Sequence, residues 1–186
     1  MTKEKILLHA CCAPCSGYVL EQLSLDYEPV IFYSNPNIHP ESEYFLRRDE
    51  LRQFAASKSI AFVEDQYDTA EWVACTRGLE NEPERGSRCT RCFALRLQKT
   101  ASYARQNDFK SFTTTLTVSP HKNSSVILEI GQWIAAKNEI LFLSRDFKKK
   151  DGYKKATEIA RIEKFYRQQY CGCVYSLSVT PKTGKT

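Results

Sequence analysis

The chain has 186 residues, 42% hydrophobic and 26% charged, the proportions of a globular protein with room for a core. Seven Gly and seven Pro, with no repeat and no Ser/Gly linker, exclude a low-complexity chain, and no apolar run approaches the ~20 residues of a membrane span. The net charge of +5 is uneven. From Arg145 onward there are 11 basic and 4 acidic residues, a bias that suits either a nucleic-acid backbone or a solvated helix face.

Lys5 to His9 reads as a short buried strand, followed by a Cys/Pro turn. Its apolar core, Ile6-Leu7-Leu8, is shorter than the ~7–15 residues of a signal sequence, so the chain is expected in the cytoplasm. Cys15 or Ser16 opens a helix to about Leu25. A strand follows over Glu28 to Tyr33 and is broken at Asn35-Pro36-Asn37. The pattern then predicts a helix over Glu41 to Lys58, a strand over Ile60 to Val63, and a short helix over Thr69 to Arg77. Gly78 to Gly86 reads as a polar loop. Arg88 to Gln106 is the clearest helix, with Phe93, Leu97 and Ala101 four apart. Ser111 to Val118 is rich in β-formers, Ser124 to Ala136 is an amphipathic helix and Ile140 to Leu143 a strand. Tyr153 to Tyr170 reads as a basic helix ending at Cys171-Gly172-Cys173, and Leu177 to Thr186 as a loose tail. Strands alternate with helices, which implies βαβ units and an α/β fold: a single catalytic domain over residues 1–176 with a parallel sheet covered on both faces. Ligands in such folds sit at the carboxyl ends of the strands. The cysteine turn after the first strand and the turn Ser119 to Asn123 are both expected on that edge.

Eight cysteines are many for a cytoplasmic chain of this size and point to metal binding or redox chemistry. They fall into three groups: Cys11, Cys12 and Cys15; Cys89 and Cys92; Cys171 and Cys173. Cys75 stands alone and reads as a small buried hydrophobe. Cys89 and Cys92 lie one turn apart at the start of the long helix, and Cys15 at the start of another, where the helix N-terminus is expected to favour thiolate. Iron–sulfur ligation, zinc and thiol redox chemistry all fit a C-x-x-C pair. Adjacent Cys11 and Cys12 suit a multi-iron cluster better than one tetrahedral zinc. Cys171 and Cys173 fit as ligands, as a redox couple or as a thiol acting on substrate. His9, beside the first group, is a candidate ligand or proton donor. There is no G-x-G-x-x-G and no Walker A sequence, so no phosphate cradle for NAD or ATP is recognisable.

Six separated segments carry a resemblance to a known family. They are His9-Ala10-Cys11-Cys12-Ala13-Pro14-Cys15, Phe32 to Ile38 (FYSNPNI), Arg88 to Cys92 (RCTRC), Thr113 to Pro120 (TTTLTVSP), Asp146-Phe147-Lys148 and Tyr166 to Ser176 (YRQQYCGCVYS). In that order they resemble the QueH family of epoxyqueuosine reductases over nearly the whole chain. The resemblance implies a Rossmann-like layer similar to nucleotide α-hydrolases, with Cys11 to Cys15 where the ATP-gripping loop would be. It implies reduction of epoxyqueuosine to queuosine at the tRNA wobble position. It also implies a [4Fe–4S] cluster on Cys11, Cys12, Cys89 and Cys92, leaves an additional iron open, and needs no cobalamin. Some members carry an acidic residue where this chain has Cys15. Electrons would come from an external ferredoxin- or flavodoxin-like donor. Protons would come from His9, a tyrosine, or a thiol among Cys15, Cys171 and Cys173. Lys148, Lys149, Lys150, Lys154, Lys155 and Arg167 are candidate phosphate contacts, with Tyr153, Phe165, Tyr166 and Tyr170 available for packing or base stacking.

Overall fold

The structure is a computed structural model and describes residues 3–177. Five parallel strands form one sheet in the order β3-β2-β1-β4-β5, with β1 Glu4–His9, β2 Tyr27–Tyr33, β3 Ala61–Glu64, β4 Ser111–Thr114 and β5 Leu141–Phe142. The pleat of β1 divides the core. Ile6 and Leu8 pack on one face with Val19, Leu20, Leu23, Leu51, Phe54 and Ala156. Leu7 packs on the other with Phe93, Leu97, Ala101, Phe112, Ile127 and Ile134. Helices α1 (Ala13–Leu23), α2 (Glu41–Ser57) and α6 (Gly152–Ile162) therefore cover one face, and α4 (Ser87–Gln106) and α5 (Ser124–Lys137) the other. The result is the expected three-layer α/β architecture. α3 (Thr69–Thr76) and α7 (Val174–Leu177) lie outside these two layers, and α3 packs on α4. On the first face α6 approaches α1 so closely that a Cβ at Gly17 would lie 2.7 Å from Ile159 Cγ2.

The strand order places the reversal of winding at β1. From β1 the chain builds outward to β2 and β3, then returns to lay β4 on the other side of β1. The carboxyl ends of β1 and β4 thus flank the topological switch point, where open α/β sheets bind ligands.

Three expectations need correction. α1 begins at Ala13, earlier than Cys15, because Pro14 fits the first turn, where no backbone donor is required. The segment after Ser111 is a strand only to Thr114. Thr115–Val118 forms one 3₁₀ turn, with the Thr114 hydroxyl accepting from the Leu116 N–H at 3.1 Å. The basic helix ends at Ile162 instead of Tyr170. Lys164 adopts a left-handed conformation (φ 57°), and the Phe165 N–H closes onto the Ala160 carbonyl at 2.9 Å. That turn brings the Phe165 ring edge-on against Phe54, centroids 4.9 Å apart, and releases residues 166–173 to cross the carboxyl edge of the sheet. Beyond Leu177 the expected tail lies outside the described residues.

Candidate metal centre and its cavity

The loop between β1 and α1 gathers Cys11, Cys12 and Cys15, whose sulfurs all lie within 4.8 Å of one another. It is the one group of three possible ligands this close among the described residues. The loop is held from below: the Asn35 amide donates to the Ala10 carbonyl at 2.9 Å, and buried Arg96 donates in turn to Asn35 Oδ1. Cys11 and Cys12 sulfurs are 3.6 Å apart. Hydrogen bonds from the Cys12 and Cys15 thiols hold the Cys11 thiol well below its ordinary pKa, helped by the charges of Lys122 and Arg96. The same sharing pushes Cys12 up to about 12 and raises Cys15. The charged form is thus favoured at Cys11 and disfavoured at its two neighbours.

A cavity of about 410 Å³ opens beside this trio. Cys11, Cys89 and Cys171 line it, so all three cysteine groups send at least one member to the same space. Cys92 and Cys173 are buried behind it, packed together against Trp72. The helix-start argument for low thiol pKa at α4 does not hold here. Burial outweighs the helix dipole, raising Cys89 and pushing Cys92 up to about 11. Cys75 stays apart, donating to the Arg91 carbonyl at 3.7 Å.

The polar loop before α4 is fixed by Arg88, which donates to the carbonyls of Leu79, Glu80 and Glu82 at 3.1, 2.8 and 2.5 Å. From this loop the Arg85 N–H donates to Cys89 Sγ at 3.3 Å, and Arg85 Nε to the His121 carbonyl at 3.0 Å. That second bond ties the loop to the turn Ser119–Asn123, which lines the cavity as expected for its place on the sheet edge.

Residues 166–173 form a strap over the site. Gln168 Nε2 donates to Cys12 Sγ at 3.1 Å. Arg47, buried in α2, pairs with Glu43 at 2.7 Å and donates to the carbonyls of Tyr170 and Cys171 at 3.3 and 3.2 Å. Gly172 (φ +117°) makes the turn that sends Cys171 toward the cavity and Cys173 toward Trp72; a Cβ there would lie 3.0 Å from Ile38. Arg47→Met should cost about 3 kcal/mol, since it leaves the Glu43 carboxylate without its ion-pair partner, with the Tyr166 hydroxyl still donating to it, and strips a donor from two strap carbonyls. Urea unfolding checks this, and a loss below about 1 kcal/mol would mean the strap holds without the arginine.

His9 is fully buried and has no free nitrogen. Its Nε2–H donates to the Ser34 carbonyl at 3.2 Å, and the Thr114 hydroxyl lies 2.8 Å from Nδ1. Burial and the Arg96 charge push its pKa down to about 3, so the ring is neutral and braces β1, β2 and β4. Among the basic candidates, Lys148 turns inward, donating to the carbonyls of Ser119 and Lys122 at 3.4 and 3.1 Å. Lys149, Lys150 and Lys154 are exposed, and Lys155 lies 5.7 Å from the Tyr18 ring. Arg167 lies on the strap and lines a second cavity of about 200 Å³ with Cys15, His121 and Tyr153. Tyr170 donates its hydroxyl to the His39 carbonyl.

Four residues of the site lay outside the sequence candidates: Arg47, Arg96, Lys122 and Gln168. Lys122 lines the main cavity, and burial, which disfavours its charge, is overcome by Cys171, Cys11 and Cys15, so its pKa rises to about 12. An all-sulfur donor set with three surrounding cations fits a soft metal held by thiolates, whose ligand charge those cations offset.

A family model described as Epoxyqueuosine reductase QueH matches residues 6–179. A protein of Acinetobacter baylyi named Epoxyqueuosine reductase QueH is 45% identical, the match covering 95% of this chain and 82% of that one. One of Haemophilus influenzae with the same name is 43% identical over 93% and 71% of the two chains. One of Thermotoga maritima, also so named, is 35% identical over 92% and 90%. With this match along the length of the sheet, the cysteine loop and the strap, the chain belongs to the QueH family of epoxyqueuosine reductases.

Proposed function

We propose that this chain is a cytoplasmic enzyme that reduces epoxyqueuosine to queuosine in the wobble position of tRNA, using a [4Fe–4S] cluster and no cobalamin. The observation that carries the reading is the convergence of three separate cysteine groups on one cavity at the switch point of the sheet. Cys11, Cys12, Cys89 and Cys92 are the proposed ligands, with Cys15 beside them. When bound, such a cluster supplies electrons one at a time, received from an external ferredoxin- or flavodoxin-like donor. The chain's own residues exclude water, position the ring and deliver protons. Gln168 and Arg47 hold the strap over the pocket, and Arg96 and Lys122 place positive charge against the sulfurs. The target base leaves the anticodon stack to enter, as single-stranded loops permit.

The test is direct. Anaerobically reconstituted protein is incubated with tRNA carrying epoxyqueuosine and a strong reductant, and the digested nucleosides are weighed. Loss of one oxygen to give queuosine is expected. Unchanged nucleoside in the presence of a reduced cluster would sink the reading.

The exposed lysines before α6 are proposed to meet the tRNA backbone. Lys149→Glu with Lys150→Glu should weaken tRNA binding roughly tenfold at physiological salt and flatten its salt dependence. Filter-binding titrations at several salt concentrations check this, and unchanged curves would move the tRNA to another face.

A further inference from the structure

Reducing an epoxide to an alkene consumes two electrons and two protons, breaks two C–O bonds and releases water. The oxygen therefore needs an acid within the pocket. Several polar groups near the site are already engaged. His9 is neutral with both nitrogens occupied, Tyr170 gives its hydroxyl to a carbonyl, and Lys148 is spent on two carbonyls.

Lys122 differs. Among the described residues it is the one lysine lining the cavity, together with Cys11, Cys89 and Cys171. Its Nζ makes no hydrogen bond or ion pair among the described residues, yet its backbone is fixed. Lys148 Nζ holds the Lys122 carbonyl at 3.1 Å, Arg85 Nε holds the adjacent His121 carbonyl at 3.0 Å, and the Ser119 hydroxyl accepts from the His121 N–H at 3.3 Å. Lys148 is braced in turn, its N–H on Asp146 Oδ1 at 3.1 Å and the preceding Phe147 N–H on Thr117 Oγ1 at 3.3 Å. Two matched segments, Thr113 to Pro120 and Asp146 to Lys148, thus converge on the support of a single unpartnered ammonium.

We propose that Lys122 is the acid that protonates the epoxide oxygen as its first C–O bond breaks. This rests on the reductase reading above. An ammonium group, with an ordinary pKa of about 10.4, is charged at neutral pH. The oxygen released from carbon is a base comparable to hydroxide, whose conjugate acid has a pKa of about 15.7, so transfer runs downhill. The two electrons come one at a time from the external donor of the proposed reduction. Lys122 gives one proton and becomes a neutral amine. Recharged by a proton from solvent, it gives this second proton to the hydroxyl that departs as the other C–O bond breaks, so two electrons and two protons convert the epoxide to the alkene and water. Lys148 is a positioning residue that sets the height of the turn.

The experiment compares the unaltered protein with Lys122→Ala and Lys122→Met, all anaerobically reconstituted, with iron and sulfide content and tRNA affinity measured beside turnover. Both variants should keep iron, sulfide and tRNA affinity and lose kcat by about 100-fold or more. Added methylammonium should restore part of the Lys122→Ala rate, by more than tenfold, and leave Lys122→Met unmoved because its side chain fills the space. Turnover within twofold of the unaltered protein in either variant, a loss tracking lost iron, or no rescue by the amine overturns the proposal. If the unaltered protein itself leaves epoxyqueuosine intact, the reductase reading fails and the acid with it. If it converts the substrate while Lys122→Ala does so equally well, the acid alone fails.

Discussion

Cys11→Ser is expected to leave the protein with little bound iron and no detectable reduction, while its fold survives. Cys11 is the centre of the sulfur group. Its thiol takes hydrogen bonds from Cys12 and Cys15, and it faces both the cavity and the charges of Lys122 and Arg96. A serine oxygen cannot replace it, because a hydroxyl stays protonated where this sulfur ionises and is a harder ligand than iron–sulfur chemistry favours. The backbone around it is held independently by Asn35 on the Ala10 carbonyl, so the loop should keep its shape. Iron and sulfide analysis after reconstitution, with circular dichroism as the control for folding, reads the result. Cys75→Ser, remote from the cavity, should match the unaltered protein in both respects. Full iron content in Cys11→Ser would show that the metal is anchored elsewhere.

The second large effect is acid instability from His9. Its pKa falls from the ordinary 6.5 to about 3 in the folded protein, chiefly by burial and then by Arg96. A depressed histidine pKa means that the unfolded chain binds the proton first. The stability is complete above pH 6.5 and is lost as pH falls toward 3, by about 1.4 kcal/mol per unit. Between pH 7.5 and 4.5 the metal-free protein should therefore lose about 3 kcal/mol through this one ring. His9→Gln removes the titration, so its urea midpoint should fall less steeply over the same interval. Parallel losses in the two proteins would show that other groups carry the acid sensitivity.

Much of this was legible because the signals were local. Ile6-Leu7-Leu8 ahead of Cys11 placed a thiol loop at a strand's carboxyl end, and the alternation of strands with helices placed the turn after β4 beside it. The strap was not legible. Tyr153 to Tyr170 keeps a helical mixture of charged and apolar residues, and the stop comes at Lys164, where neither Gly nor Pro marks a left-handed residue. The turn is held instead by tertiary contacts, Phe165 on Phe54, Lys58 on Glu163 and the Tyr166 N–H on the Glu50 carboxylate. Thiol acidity was misjudged at α4 because the helix dipole is visible in sequence, whereas the burial that outweighs it is a property of the packed pocket. Lys148 and Lys122 illustrate the same limit: one looked like part of a surface charge run and is tied inward, and the other looked like a turn residue and faces the cavity.

The contact of Gln168 with Cys12 spans 156 residues. Loop-closure entropy makes a contact across so many residues depend on the sheet that brings its two ends together. The pocket floor has its own supports, Asn35 on the Ala10 carbonyl and Arg96 behind it, which do not involve the strap. The eight residues 166–173 cover it as one short segment, held by Gln168 on Cys12 and by Arg47 on two of its carbonyls. Detachment of that segment alone, a far smaller event than unfolding, would open the pocket. The exposure of a group held in the pocket would then be set by how firmly Gln168 holds Cys12, whereas Arg47, paired with Glu43, serves the stability of the fold as well.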